Sequence, residues 1–220
     1  MSLISYLESD VYLFSFSRWR LVLDKAKAAF DEGDFCHNRP RLSQGFMQAV
    51  PEETSTSVIV LVLMGVAGSG KTTVGLRLAR EIGFAFVDAD QFHSFENKAK
   101  MAAGHPLDDD DREPWLKSMR TAIDLWLRTD CKTVLACSAL KHHYRALLAI
   151  DERVQFAYLK ADPTVLSQRL KQRPPHFMKG NMLQSQFQAL EEPTDSEAIT
   201  INADEPVEVV IQQIRSSMSL

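Results

Sequence analysis

The sequence is poor in cysteine, lacks long hydrophobic runs and carries no large excess of either charge. Its three cysteines, Cys36, Cys131 and Cys137, show no Cys-x-x-Cys spacing, which argues against a disulfide framework or a zinc site and suits a reducing, cytosolic compartment. No run reaches the roughly 18 apolar residues that cross a bilayer. With 25 Lys and Arg against 29 Asp and Glu, there is no basic excess for a nucleic-acid backbone. We therefore expect a cytoplasmic protein that binds neither membranes nor nucleic acid.

The N-terminal segment differs in its pattern from the rest of the chain. Residues 1–56 hold eight acidic and six basic side chains, and Glu8 and Asp10 precede the first basic residue, unlike secretory signals or mitochondrial transit peptides. Helical spacing over Ser17–Phe30 suggests one appended helix. The polar run at 51–57 indicates a linker. We expect 1–56 to be an extension of unknown role and 57–220 to be one folded domain.

After this linker, short apolar runs alternate with amphipathic stretches, the pattern of a parallel sheet covered by helices. The sequence thus predicts an α/β fold with five strands, at Val58–Met64, Ala85–Asp88, Thr133–Cys137, Gln155–Leu159 and Ala198–Ile201. Helices are predicted near Thr73–Ile82, Ser94–Ala103, Glu113–Arg128, Tyr144–Ala149, Pro163–Gln172, Asn181–Leu190 and Val207–Ser217.

A glycine-rich loop comes directly after the first strand. Residues 65–72 read GVAGSGKT and match GxxxxGK[ST] between a buried strand and a helix, the context in which backbone N–H groups cradle phosphates. Lys71 is expected to reach the β- and γ-phosphates of ATP, and Thr72 to bind Mg²⁺. The predicted nucleotide-binding residues of this segment are Gly65, Val66, Ala67, Gly68, Ser69, Gly70, Lys71, Thr72 and Thr73.

The second strand ends in two aspartates that suit a kinase better than other P-loop proteins. Asp88 is predicted to bind Mg²⁺ directly or through a water, and Asp90 to accept a hydrogen bond from a substrate hydroxyl. The alternative is a strand-end turn in which an aspartate caps the next helix. The third strand runs into Ser138, where many motor NTPases place a metal-associated Asp, and no NKxD motif is present to recognise guanine.

Several polar residues are candidates for binding a phosphate acceptor. His93, Asn97 and Lys100 are spaced to share one side of a predicted helix, suited to polyol hydroxyls and a carboxylate, although a solvated helix face has the same spacing. Lys141 lies just after the third strand, at the edge where α/β sheets bind ligands, so it is a candidate anion binder.

Charged runs lie on either side of these candidates. Residues 108–111 are four aspartates, which would repel an anion unless they face away, hold metal or cap the helix whose first turn contains Pro114; Asp111 is the expected cap. The run is expected to direct Arg112 at a phosphate or carboxylate. Arg169, Arg173 and His176 precede or lie in a proline-rich loop, typical of a lid that closes over ATP, although helix-end cations also complement a helix dipole.

The chain from about Val58 onward resembles the gluconokinases, small P-loop kinases of sugar acids related in fold to shikimate and nucleoside monophosphate kinases. The resemblance rests on the phosphate loop and on further motifs: Asp88-x-Asp90 with His93, Asn97, Lys100-Met101, Gly104 and Pro106-Leu107; Asp109-x-Asp111-Arg112-x-Pro114-Trp115-Leu116; Cys137–Lys141 with Tyr144-Arg145; His176-Phe177; and Met182-Leu183-x-Ser185-Gln186-Phe187. Residues 1–56 have no counterpart in this pattern, and Leu148–Ile150 replaces a more basic segment.

The resemblance implies a P-loop NTPase fold with a five-stranded parallel sheet and a mobile lid. It also implies Mg²⁺-dependent transfer of phosphate from ATP to D-gluconate, and commonly a homodimer. It favours Lys71, Asp90 and Arg173 as catalytic residues, Arg169 and Arg173 as lid residues that bind ATP, and a substrate-binding set of Asp90, His93, Asn97, Lys100, Arg112, Lys141, His176 and Gln186. A kinase of a shikimate-like hydroxy acid and a non-catalytic ATP-binding regulator are the alternatives.

Overall fold

Five parallel strands form the centre of the protein in a computed structural model that describes residues 57–172 and 180–220. The strands are β1 (Val60–Met64), β2 (Ala85–Asp88), β3 (Thr133–Ala136), β4 (Val154–Lys160) and β5 (Ile199–Asn202), in the spatial order β2-β3-β1-β4-β5. All four neighbouring pairs are parallel. The predicted α/β class and five-stranded sheet are confirmed.

The helices lie in the intervals that the amphipathic pattern predicts. They are α1 (Lys71–Ile82), α2 (Phe95–Ala102), α3 (Asp109–Arg128), α4 (His142–Leu148), α5 (Pro163–Lys171), α6 (Gly180–Ala189) and α7 (Val207–Met218), with a short 3₁₀ turn at Ala89–Phe92. The helix suggested for Ser17–Phe30, and all of 1–56, lie outside the described residues.

The central strand β1 divides the core into two layers because its side chains alternate between the faces of the sheet. Leu61 and Leu63 pack with apolar residues of α1 and α7. Val60, Val62 and Met64 pack with residues of α3 and α4 on the opposite face. Every residue of β1 is buried, which explains its unbroken apolar sequence.

Helix α3 begins four residues before its predicted start, and its cap is Asp108 rather than Asp111. The Asp111 N–H donates to Asp108 Oδ1 at 2.8 Å, and the Asp108 N–H donates to Asp111 Oδ2 at 2.9 Å. This reciprocal pair is a capping box built from two aspartates. Pro114 therefore lies beyond the first turn, inside the helix, and the first turn consists of the acidic run.

The strand order brings the polar loops after β1, β2 and β3 to one edge of the sheet. β2 and β1 flank β3, so the phosphate loop, the Asp88–Asp90 turn and the Ser138–Lys141 segment are neighbours. The Gly65 N–H donates to Ser138 O at 3.2 Å, which ties two of these loops together. This is the carboxyl edge, where open α/β sheets bind their ligands.

Two further sequence expectations concern the described residues. Cys131 and Cys137 are both free thiols, whereas Cys36 lies outside those residues. Burial raises the pKa of the Cys137 thiol to about 12, so it stays protonated. Within residues 57–172 and 180–220, every helix is too short or too polar to cross a bilayer.

Candidate active site

The phosphate loop needs glycine at two positions, at Gly65 for space and backbone conformation and at Gly70 for backbone conformation. Gly65 has φ 140°, and a Cβ there would lie 2.9 Å from both Leu159 O and Ser69 Oγ. Gly70 has φ 96° and immediately precedes α1, a conformation that glycine adopts at little cost. The loop backbone can therefore turn tightly and leave its N–H groups at the N-terminus of α1, where an anion is favoured.

Lys71 reaches back over this loop. Its ammonium donates to Gly65 O at 2.8 Å and Val66 O at 3.0 Å. The charge is also close enough to oppose the rise in the pKa of Asp90 that burial and the Asp88 carboxylate cause. Lys71 therefore lies between the phosphate-binding amides and the acidic turn after β2, as a phosphate-bridging lysine requires.

Thr72 and Asp88 form the candidate magnesium site. The Thr72 hydroxyl donates to Asp88 Oδ2 at 3.2 Å, so two hard oxygen ligands face each other at the mouth of the phosphate loop. Mg²⁺ usually takes one or two protein oxygens and keeps several waters, which this pair suits. No group of three or more His, Cys, Asp or Glu side chains with ligand spacing occurs in the part of the chain described.

Asp88 also caps the turn that carries Asp90, so the capping alternative is confirmed, whereas the role of Asp88 in binding Mg²⁺ stays a prediction. Asp88 Oδ1 accepts from the Asp90 N–H at 3.1 Å. Partial removal from water raises the pKa of Asp90, and repulsion from the Asp88 carboxylate raises it further, against the opposing charges of Lys71 and Lys98. A raised pKa makes a carboxylate a better proton acceptor.

His93 lies in a different place from the one predicted. It precedes Ser94, the N-cap of α2, so it does not share that helix's face. The residue is only 8% exposed, and its ring stacks on Trp115, with the centroids 4.6 Å apart and 7° between the planes. Burial lowers the pKa of His93 to about 4, helped by the charges of Arg112 and Lys98. Among the described residues, its Nδ1 has no hydrogen-bond partner.

Asn97 and Lys100 bind the first turn of α3. Asn97 Nδ2 donates to Asp111 O at 2.6 Å. Lys100 Nζ pairs with the carboxylate of Asp111 and lies 3.6 Å from Asp108 Oδ2. Lys100, which the sequence suggested as a partner for a carboxylate of the ligand, is thus paired with the protein's own acidic run. Together with Asn97 it holds α2 against α3.

The same turn of α3 also contacts two other cations, Lys141 and Arg112. Lys141 Nζ donates to both carboxylate oxygens of Asp109 at 2.7 Å, and the Tyr144 hydroxyl donates to Asp109 Oδ1. Arg112 Nη1 donates to the Tyr144 oxygen at 3.2 Å. We call the four side chains Asp109, Arg112, Lys141 and Tyr144 the acceptor cluster, because Arg112 and Lys141 are predicted to bind the molecule that accepts the phosphate. Asp109 and Tyr144 appear in the sequence motifs, but spacing alone does not show that they meet.

Arg145 holds the loop that carries Lys141. This buried guanidinium donates through Nη1 to Leu140 O at 3.1 Å and Glu191 O at 2.9 Å, and through Nε to Glu197 Oε1 at 2.8 Å. The guanidinium can be buried because its charge is paired with Glu197 and its N–H groups donate to backbone carbonyl oxygens. It joins the Ser138–Lys141 segment to the end of α6, a function that no sequence pattern indicated.

Arg169 and Gln186 lie near the phosphate loop. Arg169 Nη1 donates to Ala203 O at 2.8 Å, and the side chain lines a cleft of about 340 Å³ together with Gly70, Thr73 and Val207. Gln186 accepts from the Ala67 N–H at 2.6 Å, and its predicted contact with the substrate stays a prediction. Arg173 and His176 lie outside the described residues, so their predicted roles and that of the lid stay predictions.

The fold and the phosphate loop define a P-loop kinase. The shikimate kinase family model matches residues 67–219. The chain is 43% identical over 155 residues to the thermoresistant gluconokinase of Escherichia coli, covering 69% of this chain and 89% of that protein.

Solved structures agree with this class. A sugar kinase from Janibacter sp. has a TM-score of 0.69 at 38% identity, covering 74% of this chain and 95% of that one. A gluconokinase from Sinorhizobium meliloti has a TM-score of 0.66 at 34% identity, covering 73% and 91% respectively. The chain belongs to the gluconokinase family.

Proposed function

We propose that this protein transfers the γ-phosphoryl group of ATP to the primary hydroxyl of D-gluconate, forming 6-phospho-D-gluconate and ADP. The observation that carries the proposal is the edge of the sheet at which a phosphate loop, a carboxylate with a raised pKa and the cationic acceptor cluster meet. The names of the similar proteins select a sugar acid among the acceptors that such an edge suits.

In the proposed reaction, the acceptor oxygen forms a bond to the γ-phosphorus while the bond to the β–γ bridging oxygen breaks. The Asp90 carboxylate orients the acceptor hydroxyl and takes its proton. Lys71 and the loop amides hold the phosphates through charge and hydrogen bonds, the main source of catalysis in phosphoryl transfer. Thr72 and Asp88 would hold Mg²⁺, which neutralises phosphate charge when bound.

The nucleotide is proposed to extend from the phosphate loop into the cleft lined by Arg169. That cleft continues from Gly68, Ser69 and Gly70 past Thr73 to Val207, so it suits the part of ATP beyond the phosphates. Arg173 and His176 are proposed to cover the reacting groups from the loop between α5 and α6. A homodimer and a cytoplasmic location complete the proposal.

The deciding experiment is ADP release from Mg·ATP with a panel of acceptors. Gluconate should stimulate release and yield 6-phosphogluconate, whereas shikimate should give the rate seen without an acceptor. Stimulation by shikimate alone would favour the related hydroxy-acid kinase, and ATP binding with no acceptor turnover would favour a regulator.

Two variants connect this activity with the site. Lys71→Ala should remain folded and lose most turnover, since it removes the phosphate-bridging charge. Asp90→Asn should bind ATP normally yet lose turnover by about 100-fold or more, the range for a positioned proton acceptor. An unchanged rate in Asp90→Asn would remove its assigned role.

A further inference from the structure

The Asp109 carboxylate has the surroundings that proteins give to a bound carboxylate ligand. The Lys141 ammonium donates to both of its oxygens at 2.7 Å, and the Tyr144 hydroxyl donates to one of them. Asp109 is also the first residue of the 20-residue helix α3, where the helix dipole favours negative charge. Charge-assisted bonds of this kind are the strong and specific contacts to an acid.

The cations of this group are more enclosed than the carboxylate they bind. The side chains of Lys141 and Arg112 are 24% and 25% exposed, whereas that of Asp109 is 52% exposed. Rotation of the Asp109 side chain toward solvent would leave the lysine, the tyrosine hydroxyl and the arginine facing one vacated position. The Cζ atom of Arg112 and the Nζ atom of Lys141 also lie 5.9 and 5.7 Å from the centre of the Tyr144 ring, so both cations are within reach of its π-system.

The other aspartates of the first turn have different tasks. Asp108 and Asp111 form the capping box of α3, and Asp111 also binds Lys100. Asp109 takes no part in the hydrogen bonds of the capping box. Its partners are Lys141 and Tyr144, 32 and 35 residues further along the chain, and Arg112 one turn further along α3, whose Nη1 lies 4.0 Å from Asp109 Oδ1.

We propose that Asp109 holds the position of the acceptor's carboxylate and is displaced when the acceptor binds. Asp109 thereby keeps Lys141 and Tyr144 oriented in the absence of a sugar acid, and it lowers the affinity for that acid by competing for the same donors. This inference rests on the proposed function, because it takes the acceptor to be a carboxylate. It assigns acceptor specificity to Asp109 and Tyr144 in addition to Lys141 and Arg112.

The test is steady-state kinetics of Asp109→Asn in the full chain with gluconate and Mg·ATP. The amide keeps the shape and one acceptor oxygen but removes the competing charge. We expect the KM for gluconate to fall about three- to tenfold, the effect of one charge in a partly solvated site. The KM for ATP should stay unchanged.

Asp110→Asn is the matched control, since it removes the same charge from the next position of the same helical turn, where the side chain is exposed. Its KM for gluconate should equal that of the wild type. Lys141→Met should raise this KM, and Asp109→Asn added to Lys141→Met should lower it by a smaller factor than in the wild type, because the donor to both Asp109 oxygens is gone while the Tyr144 hydroxyl remains. Thermal unfolding of each variant checks the fold, and Asp109→Ser offers a second neutral replacement.

The outcomes separate this inference from the proposed function. An unchanged or raised KM for gluconate in Asp109→Asn, with normal wild-type turnover, would overturn the inference alone. An equal fall in KM in Asp110→Asn, or in the Lys141→Met background, would also overturn it, because general charge would then explain the effect. A wild-type protein that does not phosphorylate gluconate would overturn both.

Discussion

His93 shows how burial changes the chemistry of a single residue. Its ring stacks flat on Trp115 and is held neutral by a pKa of about 4. A neutral imidazole at this position donates or accepts hydrogen bonds but adds no charge beside Arg112. The spacing of His93 with Asn97 and Lys100 suggested a shared helix face, whereas the stacking partner lies on α3, 22 positions further along the chain.

The stability of the protein should depend on pH through this histidine. The unfolded state takes up a proton near the ordinary pKa of 6.5, while the folded state resists protonation down to about 4. The contribution of neutral His93 to the free energy of unfolding is therefore present above pH 6.5 and is lost as the pH falls from there toward 4. Between neutrality and about pH 5, linkage predicts a loss of about 2 kcal/mol from this group.

Urea unfolding at about pH 7 and about pH 5 measures this effect. In His93→Gln, which cannot titrate, the difference in unfolding free energy between the two conditions should shrink by about 2 kcal/mol. His105→Gln, at an exposed position, is the control and should behave like the wild type. If the unfolding free energy of the wild type and of His93→Gln changes equally with pH, the pKa of His93 is not lowered by folding.

At the scale of secondary-structure elements, the candidate active site is built from helix ends and the segments next to them. The first turn of α3 binds α2 through Asn97 and Lys100 and binds the Lys141 segment through Asp109. The end of α6 meets that same segment, since the Glu191 N–H donates to Leu140 O at 2.9 Å. Three of the four aspartates cap the helix or pair with lysines, in line with the expectation that this run caps α3.

Helix α6 also contacts the phosphate loop directly. The Ala67 N–H donates to Gln186 Oε1 at 2.6 Å. This backbone amide is one of those predicted to bind phosphate. Gln186→Ala should cost about 1 kcal/mol without nucleotide, because the amide loses its partner. Mg·ATP should offset that loss, so the increase in melting temperature on adding ATP should be larger in Gln186→Ala than in the wild type.

Gln184→Ala and Gln188→Ala provide controls on the same helix, since both side chains are exposed. They make the same change in helix propensity and should show the ATP-induced shift of the wild type. If Gln186→Ala also shows the wild-type shift, the glutamine and the nucleotide do not compete for the Ala67 amide.

At the scale of the whole molecule, the described fold and the matched family region both lie within 57–220. The predicted division of the chain at residues 56 and 57 stays a prediction. The formal charge divides evenly, with −2 in residues 1–56 and −2 in the rest. The kinase part therefore binds anions by local arrangement of its cations and not by net charge.

A chain that begins at Ser57 should keep the full activity, because the sheet, the phosphate loop and the acceptor cluster are all contained in it. The kcat with gluconate should lie within about twofold of the full chain, and the melting temperature should be unchanged. Light scattering on both chains tests the expected homodimer. A large loss of turnover or a change to monomer would show that residues 1–56 contribute to the working enzyme.

Much of the site could be predicted from local sequence because its signals are local. A run of buried residues such as Val60–Met64 specifies a central strand, and Gly65 and Gly70 specify backbone conformations that other residues avoid. Lys71, Thr72, Asp88 and Asp90 could be named as candidates directly from their positions beside these strands, and the structure places them at one edge of the sheet. The predicted start of α3 was wrong by four residues because two aspartates formed a capping box in place of the usual Ser and Glu.

The sequence by itself therefore determined the α/β class, the five strands, the phosphate loop and the family resemblance. Only the tertiary structure decided which charged groups meet. Lys141 and Asp109 are 32 residues apart, Arg145 and Glu197 52, and Gln186 and Ala67 119. Backbone preferences and hydrophobic periodicity act over a few residues, whereas these pairs depend on the order in which the sheet places its strands and on the helix ends that this order brings together.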